Sequence, residues 1–193
     1  MDYKLLYKRL IQLITRPDVF WSTVKEDNTK ISEVRKSVLL PVLVLIGIAS
    51  FTGIYIFSYN SLSIVYPILK AAEYFLIFLI TIEAVYLTFN EITAHIFRTR
   101  ISNSLYKLVV YSLIPFMLIM VITRVFSSLI FLNIIGLFGL IILWKGIDIL
   151  IGGEYKFRVR FFVLFATGIL VFYLGIRWIV DSLTEGLYLT IFG

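Results

Sequence analysis

Apolar positions run in five long blocks, at about residues 37–58, 71–97, 104–126, 129–151 and 160–180, parted by short basic or polar breaks. Each block exceeds the roughly 20 residues that a helix rising about 1.5 Å per residue needs to cross a hydrocarbon core of about 30 Å. The pattern predicts an all-α integral membrane protein: a five-helix bundle over residues 37–193, preceded by a cytosolic segment at 1–36. In that segment the period changes. Tyr3, Leu6, Tyr7, Leu10, Leu13 and Ile14 recur at three–four spacing, with Lys4, Lys8, Arg9 and Gln12 largely opposite. Such spacing predicts an amphipathic helix with a basic face, lying in the headgroup layer or packed under the bundle. Arg16-Pro17 marks the start of a second short helix, because proline's fixed φ suits a first turn, where its missing N–H is not needed. Asp18 favours the positive helix end. Phe20, Trp21 and Val24 form the apolar face, and Trp21 is expected at the membrane interface.

Composition agrees with this pattern. Hydrophobic residues make up 60% of the 193 and charged residues 16%, too little polar surface to cover a soluble core of that size. With no cysteine in the chain, disulfide and thiolate chemistry are excluded. Lys4, Lys8, Arg9 and Gln12 break up the first apolar residues, which argues against a cleavable signal peptide.

The net charge of +6 gains meaning from its placement. Lys4, Lys8, Arg9, Arg16, Lys25, Lys30, Arg35 and Lys36 precede the first block. Arg98, Arg100 and Lys107 follow the second, and Lys156, Arg158 and Arg160 follow the fourth. The other connections hold only Lys70 and Arg124, and the tail only Arg177. Basic flanks stay on the cytoplasmic side, so the N-terminus is predicted inside and the C-terminus outside. Topology and anionic lipid account for the positive charge, which leaves membrane lipids as expected partners and no nucleic acid.

Two short motifs carry a resemblance. Leu13-Ile14-Thr15-Arg16-Pro17-Asp18-Val19-Phe20-Trp21 resembles the "Arg-Pro, a few residues, Trp" pattern of bacterial Yip1-domain proteins. Tyr111-Ser112-Leu113-Ile114-Pro115 is similar to the Tyr-Ser-Leu-x-Pro signature in the third span of that family. Five spans behind a cytosolic segment match its architecture. The resemblance implies a multi-pass protein of the bacterial inner (cytoplasmic) membrane. The eukaryotic branch carries an Asp-Leu-Tyr-Gly-Pro-like motif before the third span, where this chain reads Arg98-Thr99-Arg100-Ile101-Ser102. Its Rab-linked role in vesicle trafficking is therefore not implied.

Pro115 falls near the middle of the third block and removes a hydrogen bond to a carbonyl one turn earlier. A kink at Tyr111, Ser112 and Pro115 is expected, with Ser112 placed to satisfy a loosened backbone group. A charge at mid-bilayer costs about 2.5–3.5 kcal/mol, so ionisable residues in the blocks are expected to face the bundle interior. The second block holds Glu73, Glu83, Asn90, Glu91 and His95, and the fourth holds Lys145 and Asp148. Residue counting puts Lys145 and Asp148 at depths like those of Glu83 to Glu91. The compensated arrangement sets Glu91 or Glu83 against Lys145, and His95 near Asp148.

Three readings compete for this polar cluster: glue that fixes helix register, a proton or cation relay through Glu83, Glu91 and His95, and a metal site on Glu91, His95 and Asp148. A cation at Lys145 and a single histidine weigh against the metal. No phosphate loop is present; Gly152-Gly153 reads as a helix stop. The leading expectation is a non-enzymatic scaffold or adaptor without cofactor, binding lipid and either itself or another membrane protein. A small transporter or channel is the alternative, and a membrane-embedded metalloenzyme comes third.

Overall fold

A computed structural model describes residues 3–57, 64–97 and 101–192, with side chains over 7–57, 64–95 and 101–190. Among these, every secondary-structure element is helical, and the expectation of an all-α chain holds. Helix α1 is Tyr3–Thr15 and α2 is Pro17–Glu26. Helix α3 is Ile31–Phe57, α4 Val65–Phe97, α5 Ser102–Val125, α6 Ser127–Ile151 and α7 Tyr155–Phe192. The Arg98–Arg100 stretch, and the side chains of Tyr3, Lys4 and Leu6, lie outside the described residues.

Local chemistry accounts for the breaks. Pro17 opens α2 in its first turn, as expected, with Asp18 beside it. The Glu33 carboxylate accepts a hydrogen bond from the Lys30 N–H and closes the start of α3. Gly152 and Gly153 take φ of +67° and +93°, a conformation that L side chains resist, and α6 stops there. Helix α6 begins as a 3₁₀ helix over Ser127–Leu137. Wide π turns occur at Arg35–Leu39 in α3 and at Ile147–Ile151 in α6.

Helices α3, α5, α6 and α7 are long and apolar enough to cross a membrane. Helix α4, at 33 residues, has the length but carries Lys70, Glu73, Glu83 and Glu91. Both α4 and α7 overrun their apolar blocks at one shared end, α4 starting at Val65 and α7 running on to Phe192. The reason is pairing: Lys70 of α4 reaches Asp181 of α7 at 3.7 Å, and Tyr66 meets Tyr188 edge to face at 5.0 Å.

Helix α3 packs on α4 and α5, α7 lies along α4, and α6 packs on α5. The core runs through Val42, Ile46, Ile77, Phe78, Val110, Ile114 and Phe165, and Leu13 and Trp21 belong to it. Helix α5 thus separates most of α6 from α4. Helix α7 meets α6 chiefly near their short connection, where Trp144 packs against Tyr155 and Phe162.

Candidate functional site

The two motifs, some ninety positions apart in the sequence, meet in space. Phe20 and Trp21 of α2 pack edge to face on Tyr111 of α5, with centroids 4.8 and 5.9 Å away, and on each other at 5.4 Å. Such ring pairs add about 0.5–1.5 kcal/mol each beyond area burial. Trp21 is 0% exposed, and its Nε1–H donates to the Ile142 carbonyl of α6 at 2.9 Å. Trp21 therefore faces the bundle rather than the surroundings. The indole finds a carbonyl partner within the bundle, and Gly146 leaves room for it, since a Cβ there would lie 2.8 Å from the ring. Arg16 stays exposed, and its carbonyl accepts the Phe20 N–H at 3.0 Å.

Charges complete the dock. Buried Lys107 of α5 donates from Nζ to the carbonyls of Val24, at 3.4 Å, and of Asp27. The Asp27 carboxylate accepts from Arg9 at 3.1 Å, from the Thr29 N–H at 3.0 Å, and from the Thr29 hydroxyl. Burial works against the charged Asp27, but the two Thr29 donors, with Arg9 and Lys107 beside them, hold its pKa below the ordinary 3.8. Lys145 pairs with Asp18 at 2.9 Å. On α1, Leu13 is buried and Leu10 packs against the core, whereas Tyr7, Ile11 and Ile14, with Val19 of α2, stay exposed. The N-terminal pair therefore has one apolar face for the bundle and another turned outward.

The intramembrane cluster expected from the sequence is dispersed. Glu83 accepts from Arg35 at 2.7 Å and from the Tyr106 hydroxyl at 3.0 Å, tying α3, α4 and α5 together. Arg35 Nε–H also reaches the Tyr106 oxygen at 3.3 Å. Asn90 accepts from the Ser102 hydroxyl at 2.7 Å. Glu91 and His95 are exposed, and His95 Nδ1 lies 2.9 Å from the Glu91 carbonyl of its own helix. Asp148 pairs with Arg158. Neither Glu83 nor Glu91 meets Lys145, and His95 does not meet Asp148, because α5 stands between their helices and α2 takes Lys145. Among the described residues, no three His, Cys, Asp or Glu side chains are grouped to hold a metal ion. Helix α5 continues through Pro115 to Val125. The Ser112 hydroxyl is buried there without a hydrogen-bond partner among the described residues, rather than satisfying the backbone as expected.

A second polar group, which the sequence reading did not assemble, lies at the end where α5 meets α6. Buried Glu73 accepts from Lys70 at 2.8 Å, and Arg177 approaches Asp181 at 3.5 Å. The Arg124 guanidinium lies 3.8 Å from the Tyr74 ring centroid, and its buried Nε has no partner among the described residues. The three-residue spacing of Lys70 and Glu73 was the available signal. The sequence offers Lys107 and Arg35 only as basic residues flanking apolar blocks, and nothing in their local sequence names their distant partners.

These paired charges can hold helices in register and lock the N-terminal pair onto the bundle. No protein-family model matches the chain, and no curated protein or solved structure matches it either.

Proposed function

We propose that this chain is a five-span protein of a bacterial cytoplasmic membrane, of the Yip1 type, that acts as a non-enzymatic scaffold for lipid and other membrane proteins. In this reading α4 crosses with α3, α5, α6 and α7, and the N-terminal helices sit on the cytoplasmic side. The observation that carries it is the two-faced N-terminal pair. Leu13, Phe20 and Trp21 key it into the bundle while Tyr7, Ile11, Ile14 and Val19 face outward as an apolar strip. A strip of that kind beside basic residues is suited to the headgroup layer or to a partner helix.

The test is Ile11→Glu with Ile14→Glu, both exposed, so that the core is untouched. Crosslinking in native membranes is expected to capture neighbouring membrane proteins with the unaltered chain and to lose them with the double variant. Capture that persists unchanged in the variant sinks the reading.

Transport is the second reading, favoured by half-buried Lys70 and buried Glu73 with Asp181 close by. Ion flux in proteoliposomes that disappears with Glu73→Gln while the fold survives is the result that replaces the scaffold with a transporter.

A further inference from the structure

A cavity of about 400 Å³ lies between α6 and α7, backed by α4 and α5. Phe78, Phe116, Gly139, Ala166 and Tyr173 are among its walls. Gly139 brings α6 against the Ser112 carbonyl of α5, and α7 crosses away from α6 beyond Trp144, so the two helices leave a slot. Its mouth is edged by exposed Leu140, Leu170 and Leu174, on two helices apolar enough to cross a membrane. With these helices as spans, the medium at that mouth is hydrocarbon.

Two cations lie beyond one end of the slot. Arg177 follows Tyr173, a wall of the cavity, by one turn of α7, and the Arg124 guanidinium rests 3.8 Å from the Tyr74 ring centroid. Arg124 has no carboxylate within ion-pairing distance among the described residues, and Arg177 holds Asp181 only at 3.5 Å. From Arg177 to Ala166, α7 rises about 16 Å at about 1.5 Å per residue. Half of a hydrocarbon core is about 15 Å, the depth one acyl chain occupies. We propose that this slot binds a single phospholipid, with one acyl chain laid between α6 and α7 and the phosphate held by Arg177 and Arg124. The inference rests on the reading of these helices as membrane spans.

The probe is a phosphatidylglycerol carrying a diazirine midway along one acyl chain, in liposomes with the full chain. Photolabelling is expected to concentrate on the cavity-lining residues of α6 and α7 and to be competed by unlabelled phosphatidylglycerol. Leu170→Trp, at an already exposed position, is expected to block the mouth and remove that labelling. Arg177→Gln is expected to weaken the competition about tenfold, the size of one charge-assisted hydrogen bond. Label spread equally over the lipid face of α3 at Val44, Leu45 and Ile48, or label indifferent to Leu170→Trp, overturns the site. Protein that floats with the liposomes yet labels diffusely overturns the slot alone. Protein that does not float overturns the membrane reading as well.

Discussion

Trp21 contributes packing and a hydrogen bond, and two substitutions separate them. Trp21→Phe leaves the Ile142 carbonyl without its donor and is expected to cost about 1–2 kcal/mol. Trp21→Ala also empties the pocket beside Gly146, for about 3–5 kcal/mol. Gly146→Leu fills the same pocket from the other side, driving a side chain into Leu108 and the Trp21 ring, and is expected to cost about 1–3 kcal/mol or more. Unfolding in mixed micelles reads all three. Glu91 supplies the contrast. Its side chain is exposed, so Glu91→Gln is expected to leave stability within about 0.5 kcal/mol. A large loss there contradicts the placement of Glu91 outside the bundle interior.

At the scale of elements, Asp27 ties the loop after α2 to α1 and to Thr29, and Lys107 of α5 grips the same residue's carbonyl. Its pKa is lower in the folded chain than the ordinary 3.8. The stabilisation is therefore fully present above about pH 3.8 and is lost as pH falls through the folded value. Acidification is expected to loosen α1 and α2 before the long helices. Trp21 fluorescence in a Trp144→Phe, Trp178→Phe background follows the change, and Asp27→Asn should abolish its pH dependence. Most elements were legible in the sequence. Apolar block length located α3 to α7, Pro17 and Asp18 located α2, and three–four spacing located α1. What was not legible was partnership across helices. Lys145 and Glu91 matched in residue count along their helices, but count says nothing of which helices are neighbours. The partner of Lys145 is Asp18, on a helix that the count left outside the bundle. Trp21 went the same way, because its fate depended on a carbonyl in α6 and on the space at Gly146. The charged extension of α4 and α7 escaped notice because an apolar block ends where mutually paired charges begin.

For the whole molecule, the proposed topology puts the even connections and the N-terminus in the cytoplasm. The chain has no cysteine, so a single introduced thiol reports its own side without a background to remove. A membrane-impermeant maleimide is expected to label Ser182→Cys on intact cells and Lys156→Cys only after permeabilisation. Labelling of both from outside refutes the arrangement. The bond from Trp21 to Ile142 also carries a consequence in time. Its partners are 121 residues apart, and a ribosome adds roughly 5–20 residues per second. The N-terminal helices are thus synthesised several seconds before the surface that receives them exists. For that interval Leu13, Phe20 and Trp21 stand open to chaperones and to the membrane surface. Once α6 has emerged and packed on α5, the same residues disappear from view, and a chain that stalls before α6 keeps them on display. Burial of Trp21 thereby marks that α6 has joined the bundle, and a quality-control protease that reads exposed apolar helix can tell such a copy from one that stopped before α6.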